Sequence, residues 1–296
     1  MKRRGRRDSG GPRGSPTFAR IAQSVCLLFV LHLDASHAGA PANDAQAGAA
    51  GEPARLCLFC RDYAHLVGND VVHVFKAPAQ WDGHDWKKIG LRAGIVVASG
   101  VLLDRRVSNY VAEHPSDTRE RIADRFERFG AEDALLVGAG FYVGGALAHN
   151  PKAKAVALDG FAAALINAAM IVPALKKITG RDRPNAGNGA DSFHPFQGGE
   201  SFPSGHTVGA FTLATSIASH YDSPWIKGAS YGVAALVGYS RIEHQAHFVS
   251  DVVAGAMIGV GVTKGVVALN RTMRGNLALE PTVTPGGYAL ALSVSF

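Results

Sequence analysis

A short polar segment, Pro203-Ser-Gly-His206, stands shortly before an apolar run that begins at Gly209. Pro203 is disfavoured inside a helix, and Ser204 is a good N-cap because its hydroxyl accepts a hydrogen bond from a free amide. We therefore predict that a helix starts here. Unpaired N–H groups in a first helical turn attract anions, phosphate above all, and Gly205 lets a ligand approach the backbone. Alone, the segment fits an anion site and a capped helix with an incidental histidine about equally.

Two further groups of residues carry charged or nucleophilic side chains. Lys176 ends an apolar segment for which Gly180 is the predicted C-cap. His247 and Asp251 stand four residues apart, which places both on one face of a helix predicted to begin here. An Asp beside an imidazole fixes the tautomer of the ring and stabilises its cation. Taken singly, these groups also fit a basic helix end and a surface His–Asp pair.

Together the three groups specify a site for one anion. The side chains of Lys176, Arg183 and Arg241 supply three cations, and arginine suits forked binding of phosphate oxygens. The amides at the helix start, from residue 204 to 206, add neutral donors. Phosphoryl transfer needs charge stabilisation, a nucleophile and a proton donor, and the two histidines, His206 and His247, can supply the last two.

The order and spacing of these residues resemble the tripartite motif of the type 2 phosphatidic acid phosphatase superfamily. That superfamily includes bacterial class A acid phosphatases and vanadium haloperoxidases. The three motifs are Lys176, six residues and Arg183-Pro184; then Pro203-Ser-Gly-His206; then Ser240-Arg241, five residues, His247, three residues and Asp251. The resemblance covers about residues 90 to 270 and implies an all-α fold built on a six-helix core bundle.

The resemblance also implies a role for each motif residue. His247 would attack phosphorus and become a phosphohistidine, Asp251 would orient and polarise His247, and His206 would protonate the leaving group. The residues that would bind the phosphate are Lys176, Arg183, Ser204, Gly205 and Arg241. Neither a metal nor a cofactor is implied.

The residues alone also allow a metal site made of His206, His244, His247 and Asp251. Three cationic side chains converging on the same place would repel a divalent ion and match an anion instead, which disfavours a metal. The sequence leaves the roles of Arg181 and His244 open, between a supporting contact and mere exposure. We expect Glu243 to point away from the pocket.

Six apolar, helix-compatible segments would position these motifs: Ile89 to Leu103, Ala134 to Ala148, Val156 to Leu175, Thr207 to Ser219, Trp225 to Tyr239 and Phe248 to Leu269. Between the first two, the charged stretch Arg105 to Asp133 is predicted to form a surface helix. In six alternating helices the loops after the third and fifth lie on the same face. Because the motifs lie in or beside those loops, we expect one joint site.

Two of the six segments, Val156 to Leu175 and Phe248 to Leu269, approach the length of about 20 residues that spans a bilayer. Both carry polar residues. The set therefore fits either weak membrane spans or the buried helices of an all-α bundle. The short, polar-dotted segments favour a bundle in the periplasm or at a membrane surface.

The first 40 residues have the pattern of a secretory signal peptide, with a basic start, the apolar run Val25 to Leu31, and small residues near Ala38 and Ala40. We therefore predict an exported protein that is periplasmic or associated with a membrane of the cell envelope. Seven of the 30 basic residues but only two of the 24 acidic residues lie in these 40 positions. The rest of the chain is almost neutral, which argues against nucleic acid as a partner.

The domain plan that follows has four parts. After the signal peptide, residues 41–88 are predicted to be a linker and N-terminal extension, 89–272 the helical phosphatase domain, and 273–296 a C-terminal tail. Cys57 and Cys60 lack a second ligand pair for a zinc site, and in an oxidising compartment they can form a local disulfide.

The tail, Tyr288 to Phe296, alternates large apolar with small residues, which is typical of a β-strand. An edge strand or loose tail is favoured over an outer-membrane barrel, which one strand cannot close. The predicted fold is therefore an all-α bundle with a short C-terminal β segment.

The sequence thus predicts a metal-independent phosphatase for phosphomonoesters or diphosphates. Its partners would be phosphorylated lipids or isoprenoids first and soluble small molecules next, with contact to a membrane. Two alternatives stay open. One is a vanadate-dependent haloperoxidase, which would use the same anion pocket, and the other is a non-catalytic envelope protein.

Overall fold

The computed structural model describes residues 61–130, 132–275, 277–284 and 287–294. The predicted signal peptide, Cys57 and Cys60 lie outside these ranges. The described α-helices are α1 (Arg61–Lys76), α2 (Gly83–Ser99), α3 (Arg105–Glu113), α4 (Asp117–Glu127), α5 (Glu132–Leu147), α6 (Pro151–Ile166), α7 (Val172–Thr179), α8 (Gly205–His220), α9 (Pro224–Glu243) and α10 (Val249–Gly275). Two strands follow, β1 (Leu277–Thr284) and β2 (Gly287–Val294).

Helix α8 is the centre of the bundle, because it packs against α6, α9 and α10. The core between these helices is apolar, and its fully buried side chains include Val156, Ile166, Val237 and Val266. Burying such side chains is the main favourable term in folding. The prediction of an all-α bundle is confirmed for the described residues.

All six predicted apolar segments are helical, although two of them continue through π-helical turns. The turn Asn167–Ile171 joins α6 to α7, and the turn Gly100–Asp104 joins α2 to α3. A π-helical turn leaves the chain helical but shifts the side chains that follow it around the axis. The second turn places Asp104 inside the bundle, where it is 1% exposed.

The charged stretch predicted to be one surface helix is divided into several elements. It forms α3, α4 and the 3₁₀ turn Arg128–Gly130 before α5 begins. Helix α4 packs against α9, so it is part of the bundle rather than a detached surface element. Its last residue, Glu127, contacts a predicted site residue, as described below.

Residues 61–88, predicted to belong to a linker and extension, are largely helical. In α1, Tyr63 and Leu66 are buried with Leu158 of α6, and the Tyr63 hydroxyl donates to the Leu158 carbonyl oxygen at 2.8 Å. The helical domain therefore begins earlier than residue 89, because α1 carries an apolar face that the bundle buries.

Two helical stretches are long and apolar enough to cross a membrane, Pro151–Thr179 and Val249–Arg271. They contain the first of the two segments that the sequence indicated and all of the second except Phe248. Many large apolar side chains also face outward from the bundle, among them Leu91, Val97, Val101, Leu136, Leu147 and Trp225. Exposed apolar surface of this extent is typical of a membrane or protein contact.

The C-terminal tail forms an antiparallel hairpin rather than a single strand. Strand β1 pairs with β2 in a register that places Leu277 opposite Val294 and Thr284 opposite Gly287. The predicted β segment is thus confirmed for 287–294. Its partner was not anticipated, since Pro281 disfavours strand assignment.

Candidate active site

The end of α7 is closed by a tight glycine turn. Gly180 has a φ angle of 53°, and its N–H donates to the Lys176 carbonyl oxygen at 2.8 Å, so the predicted C-cap is confirmed. A Cβ on residue 180 would lie 1.8 Å from the carbonyl oxygen of His194. Only glycine fits this conformation and this contact. The chain that leaves α7, residues 181–204, is called the exit loop. It therefore folds closely against the end of the helix that carries Lys176.

Helix α8 begins at Gly205 with Ser204 as its N-cap residue, as predicted, but without the expected side-chain cap. The Ser204 hydroxyl instead accepts a hydrogen bond from the Thr207 hydroxyl at 2.9 Å. The Ser204 N–H donates to the Asp251 carbonyl oxygen at 3.1 Å, so this amide is already used. Available backbone donors in this turn are then those of Gly205 and His206, while the Ser204 hydroxyl can still donate its own proton.

His247 lies in the turn between α9 and α10, before the helix rather than on it. Its N–H donates to the Arg241 carbonyl oxygen at 3.1 Å, which folds the turn back toward the end of α9. Its ring Nδ1 donates to the Ser201 carbonyl oxygen at 2.7 Å, because a carbonyl can only accept. The neutral tautomer therefore carries its proton on Nδ1 and leaves the Nε2 lone pair available.

The His247 ring is strongly biased toward its neutral form. It is 3% exposed, and burial is the largest cause that lowers its pKa to about 3. The positive charges of Arg241, Arg183 and Lys176 lower the pKa further. A neutral imidazole is the form that can act as a nucleophile.

Asp251 does not hydrogen-bond to His247, which corrects the predicted direct contact. The nearest carboxylate oxygen lies 3.9 Å from Nδ1, beyond hydrogen-bond distance. The two carboxylate oxygens accept instead from the Arg181 guanidinium at 2.6 Å, the Ser201 hydroxyl at 2.6 Å and the Phe248 N–H at 2.8 Å. Helix α10 begins only at Val249, so His247 is not on the same helix face as Asp251. The Asp251 carboxylate instead accepts from the Phe248 N–H just before the helix and from Ser201, whose carbonyl holds the His247 ring.

Ser201, which the sequence analysis did not single out, links the carboxylate to the imidazole. Its hydroxyl donates to Asp251 and its carbonyl accepts from His247, and the residue is fully buried. Its N–H donates to the Arg181 carbonyl oxygen at 2.9 Å. Ser201 therefore provides the hydrogen-bonded route by which Asp251 can orient the His247 ring.

Arg181, whose role the sequence left open, is a buried hub rather than an exposed residue. It is 4% exposed and stacks its guanidinium 4.3 Å from the centre of the Phe248 ring. Its donors all have acceptors, which are Asp104, Ser250, Asp251 and the Ala190 carbonyl oxygen. Because the N–H groups of Arg181 already donate to acceptors within the protein, this residue is not available to bind an anion.

The three predicted phosphate-binding cations lie near enough to both histidines to lower the pKa of each ring. Burial is the largest cause that lowers the pKa of His206, followed by the positive charge of Arg241, with Lys176 and Arg183 contributing as well. The same three cations act on His247. The structure therefore brings the side chains of all three motifs into one electropositive site, as the loop topology predicted.

Two of these cations have carboxylate partners. Arg183 lies 3.3 Å from Glu200 in an exposed pair, and the buried Arg241 contacts Glu127 from α4. Glu243 pairs with Arg119 at 3.2 Å and accepts from the Tyr239 hydroxyl, which agrees with the expectation that it points away.

His244 also contacts α4, through both ring nitrogens. Its Nδ1 lies 3.1 Å from Glu127 and its Nε2 lies 3.0 Å from Asp124. These three residues form the only group in the described part of the chain whose side chains could together hold a metal ion. This group shares only His244 with the metal site that the sequence allowed. Its Glu127 already forms an ion pair with Arg241, whose positive charge would oppose a metal ion.

The part of the chain that carries these residues matches a known protein family. Residues 158–274 match the family model described as the PAP2 superfamily. This region is therefore similar to the PAP2 superfamily. The matched range contains all three motifs, so the predicted resemblance is confirmed.

Curated relatives of this chain include three proteins named lipid A 1-phosphatase. The protein from Porphyromonas gingivalis is 47% identical over 62 residues, which are 20% of this chain and 14% of the relative. Those from Rhizobium etli and Rhizobium johnstonii are each 41% identical over 92 residues, 29% of this chain and 38% and 36% of the relatives. The chain thus matches less than two fifths of the length of these relatives.

Two solved structures are also similar to this chain. The crystal structure of Aquifex aeolicus LpxE is 25% identical with a TM-score of 0.44, covering 57% of this chain and 95% of that one. A PAP2-type phosphatidylglycerolphosphate phosphatase from Bacillus subtilis is 16% identical with a TM-score of 0.41, covering 72% of this chain and 98% of that one.

Proposed function

We propose that this chain is a phosphatase that removes a phosphate group from a lipid through a phosphohistidine on His247. The observation that carries the proposal is the pairing of a neutral, buried imidazole with three converging cations. The cations can hold a phosphoryl group, and the Nδ1–H bond to Ser201 leaves the Nε2 lone pair to attack it.

The first step of the proposed reaction forms the Nε2–phosphorus bond and breaks the bond between phosphorus and the leaving oxygen. His206, at the first turn of α8, donates its proton to that oxygen. Lys176, Arg183 and Arg241 stabilise the charge that spreads over the equatorial oxygens. In the second step His206 takes a proton from water, the water oxygen attacks phosphorus, and inorganic phosphate leaves as the Nε2 lone pair is restored.

An apolar cavity supports a lipid as the substrate. It has a volume of about 330 Å³ and lies between α5, α6 and α8, with Leu135, Phe161 and Val208 in its wall. It also reaches Gly205 and Gly130, which border the site at the start of α8. A hydrocarbon chain fits such a lining better than a sugar or nucleotide does.

The name of the curated relatives supports the same substrate class, since a lipid A 1-phosphatase acts on a phosphorylated lipid. We further propose that the chain is associated with a membrane of the cell envelope and is exported by its N-terminal segment. The two apolar helices and the outward-facing apolar side chains support membrane association.

The test is a phosphate-release panel on the purified full chain. Lipid phosphates in mixed micelles should be hydrolysed faster than soluble phosphomonoesters, and activity should survive EDTA and be inhibited by orthovanadate. His247→Ala should abolish activity, while the exposed His73→Ala is the matched control. Phosphate release that requires added Mg²⁺ would contradict the mechanism.

The same preparation distinguishes the two alternatives. Bromide oxidation with vanadate and peroxide, without phosphate release, would indicate a haloperoxidase. Absence of both phosphate release and bromide oxidation would indicate a non-catalytic envelope protein. Membrane fractionation of the wild-type chain tests the location, and recovery of all the protein in the soluble fraction would refute membrane association.

A further inference from the structure

Glu127, the last residue of α4, touches the proposed phosphate site from an element that carries none of the three motifs. One carboxylate oxygen contacts Nη1 of Arg241, and the other lies 3.1 Å from Nδ1 of His244. The second ring nitrogen of His244 lies 3.0 Å from Asp124, one helical turn earlier on α4. Glu127 is therefore held on two sides, and its position is fixed relative to Arg241.

The contact occupies only one part of the Arg241 guanidinium. The Arg241 side chain is 8% exposed, and its Nε has no hydrogen-bond partner among the described residues. A buried N–H without a partner is costly, and at an anion site it indicates where the anion binds. Glu127 thus anchors the Nη1 end and leaves Nε for a phosphate oxygen, in the forked geometry that arginine prefers.

The same carboxylate acts on His206 electrostatically. The charged groups that face His206 are Arg241 from α9, Lys176 from α7, Arg183 from the exit loop and Glu127 from α4. The three cations favour loss of the His206 proton, and Glu127 is the group that opposes them. A general acid must hold its proton until the leaving oxygen takes it.

We propose that Glu127 is a positioning residue of the phosphatase: it anchors Arg241 for phosphate binding and places a negative charge among the cations of the site. This inference rests on the proposed function. His244 supports it by holding the second oxygen of Glu127, which explains why both nitrogens of that ring face carboxylates.

The experiment separates the anchoring effect from the charge effect with two variants of one position. In Glu127→Gln the amide oxygen still accepts from Arg241 but the charge is lost, whereas Glu127→Ala loses both. Glu120→Gln is the control, because it removes the same charge from an exposed position of α4. All are purified as the full chain, and circular dichroism checks that they fold.

The anchoring effect is read from orthovanadate affinity, which compares two variants of equal charge. Glu127→Ala should bind orthovanadate about tenfold more weakly than Glu127→Gln, since one charge-assisted hydrogen bond no longer orients the guanidinium. Equal affinities would overturn the anchoring role.

The charge effect is read from the pH profile of kcat/KM on a lipid phosphate. Loss of the negative charge makes the His206 proton easier to lose, so the alkaline limb should move to lower pH by about one unit in Glu127→Gln. The limb of Glu120→Gln should stay at its wild-type position. An unmoved limb in Glu127→Gln would overturn the charge effect.

The two readouts also separate this inference from the proposed function. If the wild-type chain hydrolyses no phosphate ester, the proposed function fails and the charge effect fails with it. Orthovanadate affinity then still decides whether Glu127 anchors Arg241.

Discussion

Arg181→Met should destabilise the protein severely, because Arg181 forms ion pairs with two fully buried carboxylates. Its guanidinium donates to Asp104 at 2.7 Å and to Asp251 at 2.6 Å, and both carboxylates are at most 1% exposed. Removing one partner of a buried ion pair costs about 3–5 kcal/mol, because the remaining charge keeps its desolvation penalty without its compensation.

The geometry places this change at the upper end of that range. Arg181 also donates to the Ser250 hydroxyl at 2.7 Å and twice to the Ala190 carbonyl oxygen, at 2.7 and 3.2 Å. Methionine fills the space and packs against Phe248, so the loss reports the polar network rather than a cavity. For a domain of this size 1 kcal/mol corresponds to about 2–4 °C, so the melting temperature should fall by about 10 °C or more.

The assay is thermal unfolding of the purified full chain, followed by circular dichroism in one detergent. Arg181→Lys is the matched comparison: it keeps the charge but has fewer donors and no planar fork, so its loss should be about half as large. Lys177→Met, a basic residue next to the site in sequence that is exposed, is the control and should leave the melting temperature unchanged. A melting temperature of Arg181→Met within about 2 °C of wild type would refute the reasoning.

Three further predictions concern the catalytic centre. Burial and nearby cations lower the pKa of His206 below 6.5 and that of His247 to about 3. Because the acid must be protonated and the nucleophile neutral, kcat/KM should persist down to about pH 4, and its alkaline limb should lie below the ordinary histidine pKa of 6.5. An optimum above pH 8 would contradict this assignment. Ser201→Ala removes the hydroxyl that donates to Asp251 but keeps the carbonyl that accepts from His247. The kcat should therefore fall about tenfold with KM unchanged. A wild-type kcat would show that the hydrogen bond between Ser201 and Asp251 does not contribute to catalysis. In Gly130→Ala the new Cβ would lie 2.8 Å from Cβ and O of His206, so kcat on a lipid phosphate should fall at least tenfold, and full activity would mean that α8 shifts freely.

The sequence predicted the features that depend on local patterns. The helix start at Gly205, the glycine cap at Gly180 and the six apolar segments follow from residue preferences within one or two turns. The meeting of the three motifs followed from counting alternating helices, which needs only the order of elements. Both kinds of inference are insensitive to the details of packing.

The residues that sequence reasoning missed contribute through contacts between distant elements. Arg181 bonds to Asp104, 77 positions away, and Arg241 bonds to Glu127, 114 positions away. A charged residue on an amphipathic helix is usually solvated, so Glu127 carried no local sign of its role. Arg181 stands in a charged segment beside Asp182 and Arg183, and nothing local shows which acid it meets.

The contact between Asp251 and His247 shows how spacing alone misleads. Residues four apart meet on a helix only if both are helical, and α10 begins at Val249, after the histidine. Because His247 lies before the helix, its N–H donates to the Arg241 carbonyl oxygen and its ring Nδ1 donates to the Ser201 carbonyl oxygen. The Asp251 carboxylate accepts instead from the Phe248 N–H, just before the first residue of α10. A carboxylate that reaches the imidazole through two hydrogen bonds, by way of Ser201, can fix the orientation of the ring but stabilises a positive charge on it only weakly.

Asp251→Asn should therefore lower kcat chiefly because Ser201 and Arg181 lose a charged hydrogen-bond acceptor, and the melting temperature should fall as well. A large loss of kcat at an unchanged melting temperature would instead indicate that Asp251 polarises the ring directly.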